Sequence, residues 1–218
     1  MLGFNLDPLT ILINIPVFLI SLSFHELAHG FVAYKLGDRT AKLDGRLSMN
    51  PIRHIDPIGF LLMILCGFGW AKPVMINMRN LKKPKRDMAV IALAGPVTNV
   101  ILAFVCLMIY YPIIYALNGN VPYGLTLFFS QLFFLNLSLA IFNIIPVPPL
   151  DGSKVMAALL PPKYYFRWMQ YERYGFIVLL ILVITGVIGM ILTPVILGRY
   201  GIYAGMSALA NKIYFFLR

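Results

Sequence analysis

Apolar residues in this chain come in long runs rather than in the short alternations of soluble domains, and the lengths of those runs set the first expectations. A bilayer core of about 30 Å needs roughly 20 apolar residues in a helix. Four runs meet that length: Leu9 to Tyr34, interrupted only by a His and Glu cluster, then Met88 to Leu117, Tyr123 to Ile145 and Gly175 to Gly198. A fifth, Pro57 to Ala71, is shorter and carries Gly59, Gly67 and Gly69; a sixth, Tyr200 to Leu217, is broken by Gly201, Gly205 and Lys212. The sixth either spans or lies at the interface. The pattern predicts an all-α integral membrane helical bundle of about five to six transmembrane helices, forming one domain over residues 1–218.

Charge decides what the short run does. Lys35, Arg39, Lys42, Arg46 and Arg53 precede it, and Lys72, Arg79, Lys82, Lys83, Lys85 and Arg86 follow it. If Pro57 to Ala71 crossed the membrane, two basic loops would lie on opposite sides, against the positive-inside rule. A re-entrant element avoids the conflict, because irregular backbone at membrane depth survives where protein or a water-filled cavity surrounds it. The stretch Gly69 to Asn80, with its Val74-Met75-Ile76 centre, is expected to be strand-like. The N-terminal eight residues and the Asn118 to Pro122 loop lack Lys and Arg and are expected on the far side. The Lys35 to Arg86 region and the segment with Lys154, Lys163, Arg167 and Arg173 are then cytoplasmic.

Composition supports this reading. The chain is 60% apolar and 14% aromatic, beyond the range of ordinary soluble domains. From Met88 to Leu150 there is no Lys, Arg, Asp, Glu or His. The net charge of +10 lies between the apolar runs, which points to anionic lipid headgroups and not to nucleic acid. Cys66 and Cys106 sit in apolar surroundings without metal or redox spacing, and are expected to pack as small hydrophobes. The first run lacks a basic n-region and continues into His25, so it reads as a retained helix, not a signal peptide.

All three histidines lie between residues 25 and 54. His25-Glu26-Leu27-Ala28-His29 places two imidazoles at i and i+4 on one helix face, where both reach one metal, with Glu26 turned aside to accept a proton. On a surface helix such a pattern arises by chance. Within a membrane span each ionisable residue costs roughly 2.5–3.5 kcal/mol, so three on adjacent turns need a compensating partner. His29 and His25 stand 6 and 10 residues inward from Lys35, roughly 9–15 Å deep.

A catalytic zinc site has three protein ligands and one open position. Glu172 sits among Arg167, Arg173 and tyrosines, an ordinary solvated setting. Asp151 ends the uncharged stretch inside Asn143-Ile-Ile-Pro-Val-Pro-Pro-Leu-Asp151-Gly152, a turn that can aim a carboxylate into the bundle. The alternative makes Asp151 the N-cap of a helix from Ser153 to Leu160.

These residues resemble the site-2 proteases, zinc metalloproteases that cleave substrates within membranes. The resemblance rests on HELAHG at 25 to 30, NPIRHIDPIG at 50 to 59, GWAKPV at 69 to 74, AGPVTN at 94 to 99 and NIIPVPPLDG at 143 to 152. It implies a three-helix core, a membrane-associated β-sheet after the first core helix, one Zn2+ held by His25, His29 and Asp151, and Glu26 as general base. It further implies that Asn143 holds substrate or the oxyanion. His54 matches a histidine of the compact prokaryotic branch, with transition-state stabilisation and loop anchoring both open. The implied partner is a transmembrane protein substrate. Neither a PDZ domain between the helices nor a CBS pair after the last helix is expected. Two rivals remain: a zinc-binding transporter, which the lack of a repeated half disfavours, and a silent scaffold, which would not need Glu26.

Overall fold

The computed structural model describes residues 7–66, 69–161, 163, 164, 168, 172–197 and 201–217. Gly67, Arg167, Gly198 and Tyr200, named above, lie outside them.

Among the described residues, three helices are long and apolar enough to cross a membrane: α1 (Pro8–Lys35), α4 (Pro84–Ala116) and α5 (Tyr123–Ile144). At 1.5 Å per residue they measure about 42, 50 and 33 Å. Together with the family shown below they make the chain an integral membrane protein. Local chemistry sets their ends. Asp7 accepts from the Thr10 N–H at 3.0 Å and Pro8 fills the first position of α1, where its missing N–H costs nothing. Pro84 opens α4 in the same way, and Asp87 reaches back to the Lys83 N–H at 2.9 Å. That helix stops where Asn118 and Gly119 take positive φ values of 50° and 82°. The prolines at 146, 148 and 149 stop α5 and turn the chain into α6 (Asp151–Leu159).

The helix α1 packs on α4 and α5, and α4 packs on α5 and α6. Away from the histidines, Ala103, Cys106 and Leu107 of α4 meet Phe129, Phe133 and Leu137 of α5 in a buried apolar cluster. Cys106 is a packing residue, as expected; its Sγ also lies 3.1 Å from the Phe129 carbonyl. The side chain of Cys66 is not among those described.

Two expectations change. The run from Gly175 to Gly198 is not one continuous helix but α7 (Glu172–Ile184) and α8 (Val187–Leu197), broken at Gly186, whose φ of +74° is left-handed. Only glycine adopts that conformation without strain. A further helix, α9 (Ile202–Leu217), follows. Neither α7 nor α8 alone reaches about 30 Å.

The second change concerns the β-sheet. Among the described residues there is no strand, only an isolated antiparallel bridge between Ile55 and Ala71. The physical reason lies in both partners. Pro51–Arg53 coils into a 3-10 turn and Pro57 starts α3 (Pro57–Cys66) on one side, while Pro73 lacks a donor on the other, so the ladder cannot extend. What remains is a single extended segment, residues 71–77. Its side chains still alternate in the manner of a strand, with Val74 buried and Met75 exposed. The ten residues of α3 give about 15 Å, half a bilayer.

Asp38 fixes this segment to the end of α1. Its buried carboxylate accepts from Thr40 N–H and hydroxyl, from the Asn77 N–H at 2.7 Å and from Asn80 Nδ2 at 2.8 Å. Burial alone would raise its pKa, but the bonds from Thr40, Asn80 and Asn77 outweigh burial and hold it below the usual value. Because the folded pKa is depressed, the anchoring is complete above the unfolded pKa of about 3.9 and is lost as pH falls through the folded value. Hydrogen-exchange protection of residues 72–80 is therefore expected to fall on acidification below about pH 4. In Asp38→Asn that protection is expected to be low already at neutral pH; protection equal to wild type would show that the carboxylate does not hold the segment.

Candidate metal centre

Two turns of α1 carry His25 and His29 toward α4, and the proline turn after α5 brings Asp151 to meet them. All three are buried. The Nε2 atoms of the histidines are 3.0 Å apart, and Asp151 Oδ2 lies 3.2 Å from His25 Nε2 and 3.1 Å from His29 Nε2. Zinc bonds of about 2.0–2.1 Å at tetrahedral angles separate neighbouring donors by about 3.3 Å, so this triangle has the size of a metal coordination face. Among the described residues, this is the one group of three or more His, Cys, Asp and Glu that could hold a metal ion.

The far side of each ring decides its protonation. His29 Nδ1 lies 2.7 Å from the Ile91 carbonyl oxygen, and His25 Nδ1 lies 2.5 Å from Asn99 Oδ1. An acceptor at each Nδ1 puts the ring proton there and leaves Nε2 with its lone pair. In the ring form with the proton on Nδ1, two imidazole lone pairs and a carboxylate oxygen converge on one point. Such an arrangement fits a cation and repels itself without one.

Backbone proximity shapes the pocket. A Cβ on Gly95 would stand 2.5 Å from both His25 Cε1 and His29 Nε2, so only glycine in the AGPVTN stretch leaves the imidazoles their place. Gly152 has the Ile144 carbonyl against it and Gly175 of α7 has the Pro148 carbonyl; the turn that aims Asp151 is folded tightly and backed by α7. Asp151 makes no cap of its own helix, since Leu150 is the N-cap residue and its carbonyl is taken by Ser153 Oγ at 2.7 Å. Its carboxylate instead spans the site, with Oδ2 toward the histidines and Oδ1 at 3.3 Å from Lys154 Nζ.

Glu26 is not part of the triangle, and its Oε2 accepts from the Val74 N–H at 2.9 Å. The extended segment therefore lies directly over the candidate base. Asn143 donates to the Leu139 carbonyl at 3.0 Å and, with Asp151, lines a cavity of about 170 Å³ between α4 and α6 whose wall includes Ala92, Leu93 and Pro96. His54 does not join the metal triangle. It is buried, its Nε2 bonds the Ser48 carbonyl at 2.8 Å, its Nδ1 has no partner among the described residues, and it lines a small cavity with Ser23, Asp56 and Trp70.

The motifs of this site are those of a peptidase profile. Residues 13–185 match peptidase family M50. The chain belongs to that family. It is the family of the site-2 proteases, and the matched region contains every residue of the metal triangle. The chain is 42% identical over 199 residues to a Bacillus subtilis (strain 168) protein provisionally named zinc metalloprotease YwhC, covering 89% of this chain and 91% of that one. It is 26% identical over 172 residues to Rip2 of Mycolicibacterium smegmatis (strain ATCC 700084 / mc(2)155), also provisionally named a zinc metalloprotease, covering 77% and 64%. Zinc metalloprotease MJ0392 of Methanocaldococcus jannaschii (strain ATCC 43067 / DSM 2661 / JAL-1 / JCM 10045 / NBRC 100440) is 30% identical over 146 residues, 66% of this chain and 33% of that one. No solved structure matches the M50 chain.

Sequence reasoning missed three polar residues of the site. Asn99 was visible only as the last letter of a motif, and Asn136 and Ser21 belonged to none. The available signal was their polarity, since both asparagines are amides inside long apolar helices of the uncharged stretch.

Proposed function

We propose that this M50 peptidase is an intramembrane zinc metalloprotease that hydrolyses peptide bonds within or near transmembrane segments of membrane proteins. The observation that carries the reading is the convergence of His25 Nε2, His29 Nε2 and Asp151 Oδ2 within 3.0–3.2 Å of one another. These three residues would hold one zinc ion per chain. Zinc in such a site supplies a Lewis acid and makes a neighbouring water acidic.

The remaining work falls to the chain itself. Glu26 accepts the proton of the attacking water and passes it to the leaving amine. The Val74 N–H engages Oε2, holds the carboxylate in place and leaves Oε1 for that transfer. Asn143, on the wall of the cavity beside Asp151, holds the substrate carbonyl or its oxyanion. His54, tied to Ser48, serves as an anchor of the loop before α3, and that bond favours anchoring over transition-state stabilisation.

A helical substrate hides its amides in its own hydrogen bonds and must unwind before attack. The extended segment 71–77, bridged at Ala71 to Ile55 and bonded at Val74 to Glu26, supports a role in receiving the unwound chain by strand addition. With the short helix α3 it forms the re-entrant element of a bundle of about five to six spans. By the positive-inside rule, the basic positions between Lys35 and Arg86 support a site toward the cytoplasmic side of a prokaryotic cell membrane, beside anionic headgroups.

The test is cleavage of a single-span substrate in proteoliposomes. Chelation is expected to stop it and zinc to restore it; hydrolysis that persists in a chelator would exclude the metalloprotease reading. Val74→Pro with Ile76→Pro is expected to slow cleavage about tenfold or more, since a hydrogen bond to a charged group is worth about 1.5–3 kcal/mol. Unchanged cleavage would remove the segment from the mechanism.

A further inference from the structure

The proton on His25 Nδ1 depends on Asn99 presenting its oxygen and not its amide nitrogen, and the structure shows what enforces that choice. Asn99 Nδ2 lies 2.7 Å from Asn136 Oδ1 and 3.3 Å from the Ser21 carbonyl. Asn136 Nδ2 lies 2.8 Å from the Leu132 carbonyl and 2.9 Å from Ser21 Oγ, and Ser21 Oγ lies 2.7 Å from the Val17 carbonyl. Ser21, Asn99 and Asn136 are each fully buried.

Backbone carbonyls can only accept, and three of them set the direction of the whole chain of bonds. The Ser21 hydroxyl donates to Val17. Asn136 donates both amide hydrogens, to Leu132 and to Ser21 Oγ, so its oxygen is the atom left to face Asn99. Asn99 in turn donates to that oxygen and to the Ser21 carbonyl, so its own oxygen faces His25. A flip of either amide would set oxygen against carbonyl oxygen inside the bundle, where an unmade bond is expensive. Donation therefore runs one way, from His25 through Asn99 and Asn136 to Ser21 and Val17, across α1, α4 and α5.

We propose that Asn136, a residue of α5 whose hydrogen bonds go to Asn99, Ser21 and Leu132 and not to the three metal ligands, is a positioning residue of the metal site: by holding the Asn99 amide in one orientation it fixes the His25 tautomer that offers Nε2 to the metal. This rests on the metal-site reading above. With Asn136→Leu the Asn99 amide loses its 2.7 Å bond and keeps only the longer one to the Ser21 carbonyl at 3.3 Å, so it turns more readily to offer N–H to His25 Nδ1, which favours the ring form whose Nε2 carries the proton and cannot ligate. Asn99→Asp has no amide nitrogen to offer, so it restores an acceptor for His25 whatever occupies position 136.

Zinc affinity of the detergent-solubilised full chain, measured by chelator competition, tests the idea. Asn136→Leu is expected to weaken binding about 10–100-fold, the range for outer hydrogen bonds to metal-bound histidines. Adding Asn99→Asp to Asn136→Leu is expected to recover most of that loss. Unchanged affinity in Asn136→Leu would overturn the proposal, and so would a loss that Asn99→Asp does not recover, because that is the behaviour of a packing defect. Nitrogen NMR of the zinc-loaded wild type gives an answer that needs no variant to fold. A proton on His25 Nδ1 with zinc on Nε2 supports the proposal; zinc on Nδ1 overturns it. A wild type that binds no zinc would instead show that the metal-site reading itself is wrong.

Discussion

Glu26→Gln is expected to leave zinc bound and to remove peptide hydrolysis. The side chain lies outside the metal triangle and its Oε2 is engaged by the Val74 N–H. A glutamine of the same shape keeps a carbonyl oxygen for that N–H, so neither the extended segment nor the two imidazoles should move. What it loses is basicity, and general acid–base catalysis contributes about 10²–10⁴-fold to rate. The expected result is a protein with wild-type zinc content and cleavage reduced by at least that range. Retained turnover in a pure sample would mean that another group takes the proton.

Asp151→Asn is expected to act on the other half of the site. The substitution preserves volume in the tight proline turn but replaces an anionic oxygen 3.1–3.2 Å from both Nε2 atoms with a neutral amide. Lys154 would then lose its carboxylate partner at 3.3 Å, leaving a cation beside a weakened metal site. The loss of zinc affinity should exceed the about 10–100-fold that follows from losing an outer hydrogen bond to a ligand. Elemental analysis after gel filtration measures it directly. Zinc content equal to wild type would return Asp151 to a purely structural role in the turn.

The parts of the molecule legible in the sequence are those governed by local periodicity. The i, i+4 spacing of His25 and His29 on one face follows from helix geometry alone. The three long spans follow from run length. Asp151 could be picked out because an acidic residue after three prolines stands alone at the end of a long uncharged stretch. The illegible parts depend on which helix faces meet. Nothing in the order of residues says that Asn136 of α5 turns toward Asn99 of α4, or that both reach Ser21 of α1, since helix rotation about its axis is set by packing.

Strand pairing fails for a related reason. Side chains around Val74 alternate between buried and exposed, but a sheet needs a partner, and residues 51–53 coil instead. The break at Gly186 was hidden because one glycine in an apolar run fits a continuous helix as well as a turn.

The claim on which all else rests is a zinc ion held by two imidazoles and a carboxylate inside the bundle. Zinc-edge X-ray absorption on the purified wild type reads the ligands directly. The account predicts one zinc per chain, two imidazole nitrogens, and nitrogen and oxygen neighbours at about 2.0–2.1 Å with no sulfur. A chain without zinc, or a zinc with a sulfur neighbour at about 2.3 Å, would contradict it.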